Sequence, residues 1–168
     1  MDFLNGLPRT FYKHDVIWVV IFCFSKMAPF IPCTKTTSAM ETMELFFTRV
    51  WSHFGLPTSI ISDHTSCFLS TFGKMLWSLL GCHLQFSTTF HPQSDSQTGV
   101  VNHSLGHALH MYFFKNKQWD VCMHVIQHSY NRFVQLSTSL LPFEAFYGYQ
   151  TLSPYEFPLT MNSEGTFH

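Results

Sequence analysis

The sequence predicts an α/β fold. Val16 to Phe24, VIWVVIFCF, is an almost unbroken β-branched and aromatic run, as expected of a central strand buried on both faces. Two segments open with helix start signals: Ser38 to Glu41 is a capping box, and Ser70 is placed to cap a second helix. Strand-like and helix-like segments follow one another along 168 residues, a length that suits one domain with a sizeable core.

Met1 to Leu4 reads as the end of a strand, and Asn5 to Pro8 as a turn. After the central run, Lys26 to Cys33 returns beside it, with Pro29 and Pro32 placing it toward edge or irregular geometry. The helix opened at Ser38 runs to about His53, with Met43, Phe46, Phe47 and Val50 on one face, and Gly55 and Pro57 stop it. Ser59 to Ser62 is a short strand that delivers Asp63 at its C-terminal end, where ligands gather in α/β sheets. From Ser70 a helix runs through Leu80, with Phe72, Leu76, Leu79 and Leu80 apolar, and Gly81 ends it. His83 to Ser87 is the fifth strand. Gln118 to Asn131 is a further helix, amphipathic through Trp119, Val121, Cys122, Val125, Ile126 and Tyr130. Pro142 starts a short helix, PFEAFYG, that ends at Gly148. Residues 1–150 form one domain, and 151–168, with Pro154, Pro158, Ser163 and Gly165, form a loose tail.

Composition restricts function. Hydrophobic residues make up 46%, so the chain is not of the disordered class. Charged residues are only 11% and the net charge is -1, which predicts poor solubility and a weak field. Nine Lys and Arg in total give no broad basic face, so DNA binding is expected to be at most weak. The cysteines Cys23, Cys33, Cys67, Cys82 and Cys122 form no CxxC pair and read as reduced thiols of an intracellular protein. No signal peptide is visible, and the run from Val16 to Phe24 is too short to span a bilayer, so no membrane is expected. There is no GxSxG, no P-loop and no GxGxxG.

The most informative stretch is His91 to Gly106, HPQSDSQTGVVNHSLG, a polar loop running into a helix. Val101, Leu105, Ala108, Leu109 and Tyr112 recur at helical spacing, and Gly99, Asn102, His103 and Gly106 share another side. This stretch resembles the HPQ-TDGQTE-VNR-L motif of integrases from gypsy-type LTR retrotransposons. Further pieces match in order: MDFLNGLP at Met1 to Pro8, FSKMAPFIPC at Phe24 to Cys33, HFGLPTSIISDHTSCF at His53 to Phe68, and WD, YNR and PFEAFYG between Trp119 and Gly148. The resemblance covers about residues 1–158.

The resemblance implies a ribonuclease-H-like fold, a five-stranded mixed sheet flanked by helices, here with its first strand truncated. It implies an Asp, Asp, Glu triad holding two Mg2+ or Mn2+ ions about 4 Å apart, which clamp the attacking and leaving oxygens of a phosphodiester exchange. The first two acids map to Asp2 and Asp63, which become the catalytic and metal-binding candidates. The third maps to position 99, where the chain has Gly99, which supplies no ligand. Asp95 reaches the cleft only if its loop folds back, and its ordinary role is a loop or cap residue. Asn102 matches a helix-face Asn of the family, while His103, His64 and Cys23 stand where the family carries basic residues, so His64, Asn102 and His103 are the nucleic-acid candidates. A neutral His lacks the permanent charge of Arg.

The expected function is therefore an integrase-core-like protein of the DNA integration lineage, a degenerate and truncated copy that binds nucleic acid at most and does not carry out strand transfer. It is expected to be nuclear if DNA-bound. The family's flanking zinc-binding and basic modules are expected to be absent. The alternative is a non-catalytic domain that dimerises through apolar helix faces, or a translated transposon relic. A separate expectation concerns histidines: His103, His107 and His110, and likewise His124 and His128, fall at spacings that can hold zinc, although their ordinary role is on a half-exposed helix face.

Overall fold

The computed structural model describes residues 1–62, 70–86, 101, 105–106 and 118–152. The central strand is where the sequence places it. β2, Val16–Val19, is buried along its whole length. It lies between β1, Asp2–Leu4, and β3, Phe30–Cys33, and is antiparallel to both. Successive side chains of β2 point to opposite faces. Val16 and Trp18 join a core with Met43, Phe46, Val50, Ile60 and Trp77. Ile17 and Val19 join another with Val101, Leu105, Trp119, Met123 and Ile126. Helices thus cover the sheet on both sides, as expected.

The strand is shorter than the apolar run that encodes it. After Val19 the chain bends: Phe22 N–H donates to Met27 O and Lys26 N–H to Phe22 O, both at 2.9 Å, and Lys26 takes φ 60. Hydropathy marks Ile21 to Phe24 as buried strand, but these residues form the turn into β3, and Phe24 is 87% exposed. Pro32 sits in β3 at the edge of this sheet, where its missing N–H costs no ladder bond.

The first helical region matches its signals. Ser38 caps α1, Ala39–Phe46, by accepting from Glu41 N–H at 3.2 Å, and Glu41 accepts from Ser38 N–H at 2.7 Å. This box holds the Glu41 carboxyl below its ordinary value, through the Ser38 backbone bond first and the Ser38 hydroxyl second. The helix widens into a π-turn at Phe47–Trp51 and closes with α2, Ser52–Phe54. β4, Ser59–Ser62, follows. α3, Thr71–Leu79, is capped by Ser70, which accepts from Gly73 N–H. β5, His83–Phe86, runs parallel to β4.

The five expected strands are present, but among the described residues they pair as two smaller sheets rather than one five-stranded mixed sheet. Among the described residues there is a three-stranded antiparallel sheet and a two-stranded parallel one. β1 has only three residues, and it pairs with β2. Toward β4, the Met1 ammonium donates to Ile61 O at 2.6 Å. This bond positions the start of β1 beside β4.

The last two helices are α4, Met123–Arg132, and α5, Pro142–Tyr147. α4 starts later than the pattern predicts, because Trp119 and Asp120 are used in tertiary contacts and residues 119–122 form turns. Two of its predicted apolar positions, Val121 and Val125, are exposed rather than buried. α5 ends at Gly148, whose φ of 78 suits a residue without Cβ. Of the expected tail only Thr151 and Leu152 are described.

Candidate functional site

The strand carrying Asp2 lies beside the strand that leads into Asp63. Asp2 opens β1 opposite Val19. Its Oδ1 accepts from the N–H of the next residue, Phe3, at 2.7 Å. The bond from Met1 to Ile61 O fixes that end of β1 next to β4, whose last residue, Ser62, is buried. Asp63, His64, Gly99, Asn102 and His103 lie outside the described residues, as do Asp95, His107 and His110. Shortly after position 99 the described residues are Val101, Leu105 and Gly106, all helical. Val101 and Leu105, one turn apart, pack on the β2 face with Trp119 and Ile126. Among the described residues no group of three or more His, Cys, Asp or Glu side chains is placed to hold a metal.

A cavity of about 690 Å³ opens beside β4. Phe22, Val50, Ile61, Ser62 and Phe146 help to line it, and the described lining holds no carboxylate. Its outer wall is aromatic: Phe22 is 4.7 Å from Phe54 and 5.7 Å from Phe146, centroid to centroid. The described lining is mainly apolar.

The proposed histidine pair on α4 divides. His124 is exposed, while His128 packs its ring 5.3 Å from Phe143 with Nε2 buried and without a hydrogen-bond partner. The described cysteines Cys23, Cys33, Cys82 and Cys122 are free thiols, and burial pushes the Cys82 thiol up.

The WD and YNR pieces hold parts of the molecule that sequence reading did not assign to them. Asp120 is almost fully buried, with 3% of its side chain exposed. Its Oδ2 accepts from Thr10 Oγ1 at 2.6 Å and meets His14 Nδ1 at 2.7 Å, and its Oδ1 accepts from Val121 N–H at 3.0 Å. Burial pushes this carboxyl up, but the bonds from Thr10 and His14, the His14 charge and the Val121 N–H outweigh it, and the group titrates below its ordinary value. Beside it Trp119 Nε1 donates to Pro8 O at 2.7 Å. The loop between β1 and β2 is thereby strapped to the start of α4.

Asn131 serves the segment that leads into β3. Its side chain is fully buried, accepting from Ala28 N–H at 2.9 Å and donating to Ala28 O at 3.1 Å. One turn earlier, Gln127 Oε1 accepts from Phe30 N–H at 2.9 Å. Two amides at i and i+4 on α4 thus satisfy backbone groups that an edge strand would otherwise leave open. The signal available in the sequence was the i, i+4 spacing of two amides on an otherwise amphipathic helix, and it does not name their partners.

No family model matches the chain. The Tf2-3 and Tf2-4 transposon polyproteins of Schizosaccharomyces pombe are each 34% identical to it over 160 residues, 94% of this chain. The chain spans only 12% of the length of these relatives. Among solved structures, the catalytic core domain of BIV integrase superposes with a TM-score of 0.67 at 16% identity, covering 88% of this chain and 92% of that one. The simian T-cell lymphotropic virus intasome in complex with PP2A regulatory subunit B56 gamma gives 0.68 at 17% identity, covering 89% and 58%. The HTLV-2 integrase catalytic core domain in complex with magnesium gives 0.60 at 16%, covering 86% and 95%. No helix among the described residues is long and apolar enough to cross a membrane. The chain has the fold of integrase catalytic cores and is similar along nearly its whole length to a segment of the Tf2 transposon polyproteins.

Proposed function

We propose that this chain is a degenerate integrase core of a gypsy-type LTR retrotransposon, that it binds nucleic acid weakly, and that it does not join DNA ends. The observation that carries the reading is Gly99, at the position of the third acidic ligand. Similarity to transposon polyproteins and the integrase-core fold support the lineage. One of the structural neighbours is described with magnesium and another as an intasome, which supports DNA and a divalent metal as the ancestral partners.

The donor set does not fit a two-metal clamp. Two hard cations close together need several carboxylate oxygens, and the chain offers Asp2 and Asp63 at the matching positions. Loss of the third carboxylate uncouples the two ions, so no transfer step is assigned to this chain. Weak nucleic-acid binding follows from the charge: 9 Lys and Arg against 10 Asp and Glu.

The test is a disintegration and strand-transfer assay with manganese, comparing the native chain with Gly99→Glu. The native chain should give no joined product, and Gly99→Glu should give some. Product from the native chain overturns the reading. Failure of both shows that position 99 does not decide the matter.

A further inference from the structure

We propose that the loop between β1 and β2, from Arg9 to His14, is a contact surface for single-stranded nucleic acid, with Phe11 and Tyr12 as stacking rings and Arg9 and Lys13 as phosphate contacts. The surface deepens the nucleic-acid reading above and uses none of the metal-site residues, so the two can fail separately.

Phe11 is 83% exposed and Tyr12 64%. Their centroids are 5.6 Å apart at 85°, an edge-to-face pair, and the His14 ring lies 6.5 Å from Tyr12, so each ring is in contact on one side while most of its surface meets solvent. Any nucleobase can stack on such a ring, whatever its sequence, but only when it is unpaired. Arg9 and Lys13 flank the rings, and both are exposed. Among the described residues neither makes an ion pair. Acidic groups near the loop are engaged: Asp15 Oδ1 accepts from Lys35 N–H at 2.9 Å, and Asp120 holds Thr10 and His14. In a chain whose net charge is -1, two cations beside two open rings are a local exception. That charge favours a polyanion over an apolar protein groove.

The loop is also pre-organised. Thr10 is buried and closes it, with Thr10 N–H donating to His14 O at 2.9 Å, Lys13 N–H to Thr10 O at 3.0 Å, and His14 N–H to Thr10 Oγ1 at 3.1 Å. The Asp120 and Trp119 bonds anchor it from below. Lys13 is held at φ 68, a left-handed conformation that non-glycine residues adopt only where surrounding contacts enforce it. A loop already ordered loses little freedom when it binds, which matters where total charge is low.

Fluorescence anisotropy with a labelled oligothymidylate and with a duplex of equal length, over a salt series, tests the surface. The native chain should bind the single strand more tightly than the duplex. Phe11→Ala with Tyr12→Ala should weaken single-strand binding about ten-fold or more and leave its salt slope unchanged. Arg9→Gln with Lys13→Gln should reduce that slope by about 1.4. All four side chains are exposed, so melting temperature should stay that of the native chain and serves as the folding control. Equal affinity for duplex and single strand, no binding to either, or native affinity in a folded Phe11→Ala, Tyr12→Ala variant overturns the proposal. If loop variants bind normally while Gly99→Glu joins DNA, only the loop assignment falls. If they lose binding while the native chain joins DNA, only the metal-site reading falls.

Discussion

Asp2 and Asp120 are two carboxylates in opposite circumstances. Asp2 opens β1 half-exposed, with Oδ1 on the N–H of its neighbour Phe3. Asp120 is buried, and both its oxygens accept hydrogen bonds, two of the donors coming from a loop more than a hundred positions away. The first stands where we propose one of three acids drawn from three separate elements. The second belongs to a strap that needs one. A constellation of remote groups is disabled by losing any member, whereas a strap depends on one side chain and the loop it holds. The described cores draw on Val101 and Leu105, which follow position 99 in the sequence.

The comparison can be sharpened at the strap and its neighbouring edge clamp. The largest effect is expected from Asn131→Leu, which leaves the N–H and C=O of Ala28 without partners and should cost about 2–5 kcal/mol in urea unfolding. An unchanged midpoint would mean that the segment leading into β3 does not need its amide clamp. Asp120→Ala should cost less, about 2–3 kcal/mol at neutral pH. Because the Asp120 carboxyl is held below its ordinary value in the folded chain, its contribution is complete above about pH 4 and is lost as pH falls through the depressed folded value. Stability measured against pH should therefore have a flatter acid limb in Asp120→Ala than in the native chain. If the two limbs are parallel, another carboxylate governs acid unfolding. The smallest effect is expected from Asp2→Asn, under about 0.5 kcal/mol, because the amide oxygen still accepts from Phe3 N–H. A loss at Asp2 larger than that at Asp120 would reverse the comparison.

Much of the secondary structure was legible because its causes are local. Ser38 and Glu41 are three residues apart, and a capping box works over that distance in nearly any context. Ser70 and Gly148 announce helix ends for equally short-range reasons. The apolar run at Val16 named the central strand but not its end. A β-branched run fits a buried strand, and only the bond from Phe22 N–H to Met27 O shows where the chain turns. The same limit applied to α4: the apolar period counted Val121 as interior, while the burial of Trp119 and Asp120 shifted the helix start and left Val121 exposed.

The candidate site was read from motif order rather than from geometry. That order named Asp2 and Asp63 as candidates; the structure places the start of β1 beside β4, and Asp63 lies outside the described residues. By itself the sequence determined the α/β class, the two-sided burial of β2, the helix caps and the glycine at position 99, because each depends on residue type or on neighbours a few positions away. Only the tertiary structure decided that the described strands divide into two ladders, that Asn131 holds the segment leading into β3, and that Asp120 anchors Thr10 and His14. The physical reason is separation along the chain: a hydrogen bond forms wherever folding brings a donor to an acceptor, and nothing in the spacing of Thr10 and Asp120 records that they meet.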